Sequence, residues 1–278
     1  MTDKMELLKR TKLFVLDMDG TFLSDAKTYN RPRFLAQYQR MREQNIRFVV
    51  ASGNQYYQLI SFFPEIAHQI AFVAENGGWV VSGNEDVFNC QLPVHHFNAV
   101  VDHLQTLPNI EIIACGKRSA YTLNRYNDAL KTVAAKYYHR LELVDDFNHL
   151  DDTILKFGLN VPDRLIPEIQ PKLHAALGDM VTAVATGYGS IDLIIPGVHK
   201  ANGLRILQQR WGIEDHEVVA FGDSGNDIEM LQHAGFGFAM ANAREDVKAV
   251  ARYQAPHNNE EGVLQIIDKV LDREAPFA

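Results

Sequence analysis

The sequence predicts an α/β protein with a parallel sheet core and a large inserted α+β domain, and three observations carry that reading. Leu13-Phe14-Val15-Leu16 is an unbroken apolar run, as expected of a strand buried on both faces, and it turns abruptly into Asp17-Met18-Asp19-Gly20-Thr21. Strand and helix patterns then alternate as far as Ala74, which implies parallel pairing through helical crossovers. The alternation gives way to hairpins and helices from about Trp79 and resumes near Pro196.

Taken in order, Asn30-Arg31-Pro32 starts a helix, with proline in its first turn and Phe34, Leu35, Tyr38 and Met41 at helical spacing. Ile46–Ala51 is a second strand. It stops at Ser52-Gly53-Asn54, which opens a helix carrying Tyr56, Leu59, Ile60 and Phe63. Ala71–Ala74 is a third core strand, ending at Glu75-Asn76-Gly77-Gly78. The inserted region reads as strands at Trp79–Ser82, Asp86–Cys90, Ile110–Cys115, Ala120–Leu123, Leu141–Val144, Ile154–Asn160, Val181–Thr186 and Ile191–Ile195. Its helices lie near 94–107, 128–137 and 164–177. Beyond Pro196-Gly197-Val198-His199-Lys200, a helix carries Leu204, Leu207 and Trp211. Val218–Phe221 is another buried strand, ending at Gly222-Asp223-Ser224-Gly225-Asn226-Asp227 before a helix with Ile228 and Leu231. A short strand at 236–240 and helices around 245–251 and from Gly262 complete the chain.

The 278 residues are 46% hydrophobic and 22% charged, enough to bury a sizeable core. A net charge of -8 disfavours nucleic acid or an anionic membrane as partner, so any phosphate must be captured locally. Cys90 and Cys115 are too few for a disulfide framework and too far apart for a Cys-x-x-Cys metal site, and both are expected to pack in the interior. No run approaches membrane-spanning length and the first residues lack an apolar leader segment, so the expected compartment is the cytoplasm.

Asp17 and Asp19 fall at a strand's carboxyl end, where the loops of an open α/β sheet converge around ligands. Two carboxylates spaced i, i+2 can hold a hard cation and divide nucleophilic and proton-transfer work; an ordinary Asp-Gly turn is the plainer alternative. Asp223 supplies a second acid at another strand end, and the two clusters meet only if their strands are neighbours. Ser52 suits an anion or a simple helix cap. Lys200 suits a phosphate or a solvated helix start, and Asn226 and Asp227 suit the site or a cap.

In order and placement, the Asp17-Met18-Asp19-Gly20-Thr21 loop, Ser52, Lys200 and the Gly222–Asp227 loop resemble the four motifs of the haloacid-dehalogenase superfamily. Ala74-Glu75-Asn76-Gly77, the inserted region and Gly225–Leu231 resemble its Cof-type branch, including bacterial sugar phosphatases over nearly the whole length. The resemblance implies a Rossmann-like core at 1–82 and 190–278 with an α+β cap at 83–189. It implies that Asp17 attacks phosphorus to form an aspartyl-phosphate and that Asp19 serves as general acid and then base. Mg²⁺ would be held by Asp17, the backbone carbonyl of Asp19, and Asp223; histidine and cysteine are absent from these motifs, which disfavours zinc. Phosphate would be gripped by the backbone after Asp17, at Met18 and Asp19, with Ser52, Gly53, Lys200 and Asn226; Thr21, Asn54 and Asp227 would support.

Spacing agrees with that cap. One helix and one strand fill the interval from Asp17 to Ser52, whereas more than half the chain separates Ser52 from Lys200, so a large lid fits only after the second motif. Many Cof-type sequences carry Thr-Gly-Arg where this chain has Ser52-Gly53-Asn54. The hydroxyl is kept and a bidentate anion clamp is lost, so Asn54 suits neutral hydroxyls better than a second anionic group. The expectation is therefore a Mg²⁺-dependent phosphatase of small sugar phosphates, a monomer or weak oligomer. A phosphomutase of the phosphomannomutase type and a non-catalytic phosphate-sensing module are the alternatives. Lys117, Arg118 and Tyr121, on or beside a turn between cap strands, and the Gly187-Tyr188-Gly189 turn are candidates for substrate selection.

Overall fold

The computed structural model describes residues 10–187 and 189–277. β1 (Leu13–Leu16) leads through a tight turn at Met18–Phe22 into α1 (Arg31–Glu43) and β2 (Arg47–Ala51). There follow α2 (Tyr56–Ile60), β3 (Ala71–Ala74), β4 (Trp79–Ser82), β5 (Glu85–Asn89), α3 (Val94–Leu104), β6 (Glu111–Gly116), β7 (Ala120–Leu123) and α4 (Asp128–Tyr137). Next come β8 (Leu141–Val144), β9 (Ile154–Asn160), α5 (Ile166–Leu177), β10 (Thr182–Gly187), β11 (Ser190–Ile194) and α6 (Lys200–Trp211). The chain closes with β12 (Val218–Gly222), α7 (Ile228–His233), β13 (Phe236–Met240), α8 (Glu245–Val250), β14 (Tyr253–Ala255) and α9 (Gly262–Leu271).

By contact density the chain divides into two compact units, one running to Ala51 and again from Leu204, the other comprising Ser52–Gly203. In the first, β14-β13-β12-β1-β2 lie in that order and every neighbouring pair is parallel. All four residues of β1 have no exposed surface, which explains its unalternating apolar run. Helix α1 starts as read: the Asn30 side chain accepts a hydrogen bond from the Arg33 amide at 3.2 Å, and proline occupies the first turn. Its outer face is tied to α9, where Arg33 donates to Glu261 and Asp268 at 2.7 and 2.6 Å.

The second unit holds the antiparallel ladder β3-β4-β5 and a six-stranded sheet ordered β10-β11-β9-β6-β7-β8, antiparallel except for β7 beside β8. Helices α3 and α5 contribute apolar faces to the core of that sheet, with Phe97 and Phe157 stacked at 5.2 Å. Both cysteines are buried and free.

Two elements depart from the sequence reading. The helix expected to carry Phe63 ends at Ile60, because Pro64 disfavours helical backbone at the residue before it; Phe63 remains buried through the following turns. β14 was not anticipated, being three residues long and followed by Pro256. Among the described residues, no helix is long and apolar enough to cross a membrane.

Candidate active site

β1 and β12 are parallel neighbours, with Leu16 opposite Phe221, so the two acidic loops leave adjacent strands at the same end. This pairing is what sequence order alone leaves open. The Asp17 amide donates to the Phe221 carbonyl at 3.2 Å, extending the ladder one residue beyond the strand. The backbone then winds into the tight Met18–Phe22 turn, closed by the Phe22 amide on the Asp17 carbonyl at 3.2 Å and the Leu23 amide on the Met18 carbonyl at 2.9 Å.

Gly20 is required twice over. Its φ is +73°, and a Cβ there would stand 2.2 Å from Asp223 Oδ2, so the turn approaches the second acid as closely as a backbone can. Thr21 Oγ1 donates to Asp223 Oδ1 at 3.0 Å, and Asn242 Nδ2 holds the Gly20 carbonyl at 2.8 Å. Asn242 was missed by sequence reasoning, although its position after β13, at the same end of the sheet, is the available clue. Asp227 accepts the Asp223 and Ser224 amides on Oδ2 at 3.0 and 3.1 Å, a capping arrangement that shapes the loop between them.

Asp17, Asp223 and Asp227 are buried, at 6, 9 and 0% exposure, and each can offer a carboxylate oxygen within 4.8 Å of the others. Three buried carboxylates gathered this closely repel one another unless a cation lies among them, and an all-oxygen donor set fits a hard divalent ion. Mg²⁺ therefore fits these residues. Asp19 points elsewhere: its Oδ1 accepts from Lys27 Nζ at 3.0 Å, with the carboxylate partly open to solvent. Lys27 lies in a polar stretch with no periodic signal, so nothing in the sequence singles it out.

Asn226, half-buried, lies in the first unit within the Gly225–Asp227 turn, whereas the second unit contains Ser52, Gly53, Asn54 and Lys200. Ser52 is buried, with its amide on the Val73 carbonyl at 2.9 Å and its carbonyl accepting the Asn76 amide at 3.0 Å. Its Oγ accepts the Asn54 amide at 3.0 Å. Lys200, the first residue of α6, is only 1% exposed, which overturns the solvated helix-start alternative. Gly53 lies against Asn76 and Asp192.

The Gly116–Ser119 turn is tied to its own surroundings. Lys117 pairs with Asp86 and donates to Asn89, Arg118 pairs with Asp151 at 3.3 Å, and the Tyr121 hydroxyl donates to Asp152 at 2.8 Å. Of the other candidate turn, Tyr188 lies outside the described residues. His95 is exposed and His96 half-buried.

Beneath Ser52 lies a charged cluster that the sequence did not disclose: Glu75, Lys156 and Asp192 are all buried. Burial is the main influence on Glu75 and, with Asp192 nearby, it raises its carboxyl to about 7 against the opposing pull of Lys156. Burial works against the Lys156 ammonium, but Asp192 and then Glu75 outweigh it and its pKa rises. A carboxyl whose folded pKa is raised contributes stability at pH below its unfolded value, and that contribution is lost as pH rises through the folded value. Glu75→Gln should therefore flatten the fall in stability between about pH 4.5 and 7, an effect of order 3 kcal/mol. Urea melts of both proteins across that range measure it; parallel pH profiles would contradict it.

The profile of the haloacid dehalogenase-like hydrolase family matches residues 14–267, from β1 into α9. This chain is a haloacid dehalogenase-like hydrolase. The hydrolase is 69% identical over 266 residues to the 5-amino-6-(5-phospho-D-ribitylamino)uracil phosphatase YbjI of Escherichia coli (strain K12), covering 96% of this chain and 98% of the relative. It is 27% identical to the 5-amino-6-(5-phospho-D-ribitylamino)uracil phosphatase YitU of Bacillus subtilis (strain 168), with 92% of this chain and 96% of that one covered. Among solved structures, SMU.1108c from Streptococcus mutans UA159 superposes with a TM-score of 0.91 at 35% identity, over 94% of this chain and 99% of that one. The hydrolase is thus a Cof-type phosphoric monoester hydrolase with an α/β fold, and the sensing-module alternative falls.

Proposed function

We propose that the hydrolase is a Mg²⁺-dependent phosphomonoesterase of small sugar and sugar-alcohol phosphates that works through an aspartyl-phosphate on Asp17. The observation that carries this reading is the pairing of β1 with β12, which sets Asp17 beside Asp223 at the carboxyl ends of adjacent buried strands. In the first step the Asp17 carboxylate attacks phosphorus, and the bond to the leaving oxygen breaks as Asp19 donates a proton to it. In the second, Asp19 takes a proton from water, whose oxygen attacks phosphorus and returns Asp17 as a carboxylate with free phosphate. Mg²⁺, held by Asp17, the Asp19 carbonyl and Asp223 with Asp227 alongside, would supply charge neutralisation to the transferring phosphoryl group.

Transition-state charge is spread over the phosphoryl oxygens, so fixed donors around them do most of the remaining work. That task is assigned to the Met18 and Asp19 amides, Ser52, Gly53, Lys200 and Asn226, with Thr21, Asn54 and Asp227 holding them in place. The segment 83–189 is the cap that selects substrate. Neutral Asn54 in place of an arginine favours a hydroxylated chain over a second anionic group. That preference is in keeping with the substrate for which YbjI and YitU are named, a phosphorylated ribityl chain joined to a uracil, which we take as the first candidate for this hydrolase.

A panel of phosphorylated metabolites that includes this ribitylaminouracil phosphate and the hexose phosphates tests the reading, with inorganic phosphate as readout. Phosphate should appear in the presence of Mg²⁺ and cease with excess chelator. A dominant isomeric sugar phosphate, requiring a bisphosphate activator, would replace this reading with the phosphomutase one.

A further inference from the structure

Lys156 sits in the middle of β9, 2% exposed, where the flanking residues are core-forming. A buried ammonium costs several kcal/mol of lost hydration unless every proton finds a good acceptor. Its Nζ donates to Asp192 Oδ2 and to the Gly53 carbonyl, both at 2.7 Å, and stands 3.8 Å from Glu75 Oε2. Asp192 is held in turn by Asn76 Nδ2 at 2.5 Å. The Gly53 contact is the informative one, because that acceptor belongs to the loop that carries Ser52.

The Gly53 carbonyl and the Asn54 amide belong to one rigid peptide plane. Lys156 fixes that plane at its oxygen end, and at its other end the Asn54 amide donates to Ser52 Oγ at 3.0 Å. A hydroxyl oxygen that accepts this bond has its own proton directed elsewhere, free to be donated. A cation on the carbonyl also polarises the peptide, so the amide becomes a stronger donor and the serine O–H a stronger one after it. Gly53 permits the arrangement: a Cβ there would lie 3.1 Å from Asn76 Oδ1 and 3.3 Å from Asp192 Oδ2, inside the contact distance of a well-packed side chain.

We propose that Lys156 is a positioning residue for phosphate capture, acting through the Gly53–Asn54 peptide to orient and polarise the Ser52 hydroxyl. The proposal rests on the reading that Ser52 grips the phosphoryl group. It places part of the control of the core's phosphate grip on a residue of the cap segment, so that cap and phosphate site are linked by one side chain.

A double-mutant cycle tests it. Lys156→Met combined with Asp192→Asn removes the ammonium without leaving its partner charged, and should lower kcat/KM about tenfold to a hundredfold while weakening inhibition by inorganic phosphate. In a Ser52→Ala background the same pair of changes should cost no more than about threefold, since the group it orients is gone. An equal loss in both backgrounds would overturn the proposal and leave Lys156 a structural residue. If Ser52→Ala alone leaves kcat/KM at the wild-type value, the reading of Ser52 itself fails, which is a separate result. Should the paired change prevent folding, judged by thermal melting, Asp192→Asn alone loosens the ammonium and enters the same cycle. Its smaller loss must again vanish without Ser52 for the proposal to stand.

Discussion

Asp17→Asn should abolish turnover, lowering kcat by about 10⁴-fold or more with every substrate. The amide keeps the shape of the carboxylate, and the backbone bond from the Asp17 amide to Phe221 is untouched, so the fold should persist. What is lost is the proposed nucleophile, which is also one of three acids that gather within 4.8 Å of one another. Loss of a negative charge from that cluster should even relieve repulsion when no cation is present, so the variant is expected to melt no lower than the parent without Mg²⁺. Steady-state hydrolysis of a small aryl phosphate, beside a thermal melt, separates the two effects. Wild-type turnover by the variant would remove Asp17 from the mechanism.

The second large effect depends on the leaving group. Asp19→Asn should slow hydrolysis of an alkyl phosphate such as a sugar phosphate by about 10²- to 10⁴-fold, because a departing alkoxide needs its proton in the transition state. With p-nitrophenyl phosphate the loss in the first step should be far smaller, since nitrophenolate leaves without help. The proposed role suits its surroundings: Asp19 follows Asp17 by two residues, its carboxylate keeps access to solvent, and Lys27 at 3.0 Å holds it without burying it. Comparing kcat/KM ratios for the two substrates in parent and variant gives the answer. Equal losses would mean that Asp19 serves geometry or metal binding and not proton transfer.

Much of this site was legible in the sequence because strand ends announce themselves: apolar runs at 13–16 and 218–221 stop at acids, and both acids sit where the runs predict. What could not be read was adjacency, since the pairing of Leu13 with Val218 joins residues separated by most of the chain. The Lys200 side chain illustrates the same limit. A lysine at a helix start reads as solvated, and only tertiary packing reveals that it is buried. Lys156 was concealed differently, inside a strand whose neighbours Leu155 and Phe157 are core residues, so the run reads as a strand with an incidental charge. Its acceptors, Gly53 and Asp192, and the nearby Glu75 come from three other segments. Buried charge networks draw on distant residues by necessity, and local pattern carries no trace of them. The early end of α2 is the opposite case: Pro64 is visible in the sequence, and the restriction proline imposes on its predecessor outweighs the apolar spacing of Phe63.

Chemical trapping of the covalent intermediate tests the central claim most directly. Wild-type enzyme mixed with a ³²P-labelled sugar phosphate in Mg²⁺, quenched in acid within milliseconds and digested, should yield a single labelled peptide spanning β1 and its loop. Borohydride reduction of that peptide should convert residue 17 to homoserine, the product expected of an acyl phosphate at Asp17. Label on any other residue, or free phosphate formed with no labelled protein at any quench time, would contradict the account.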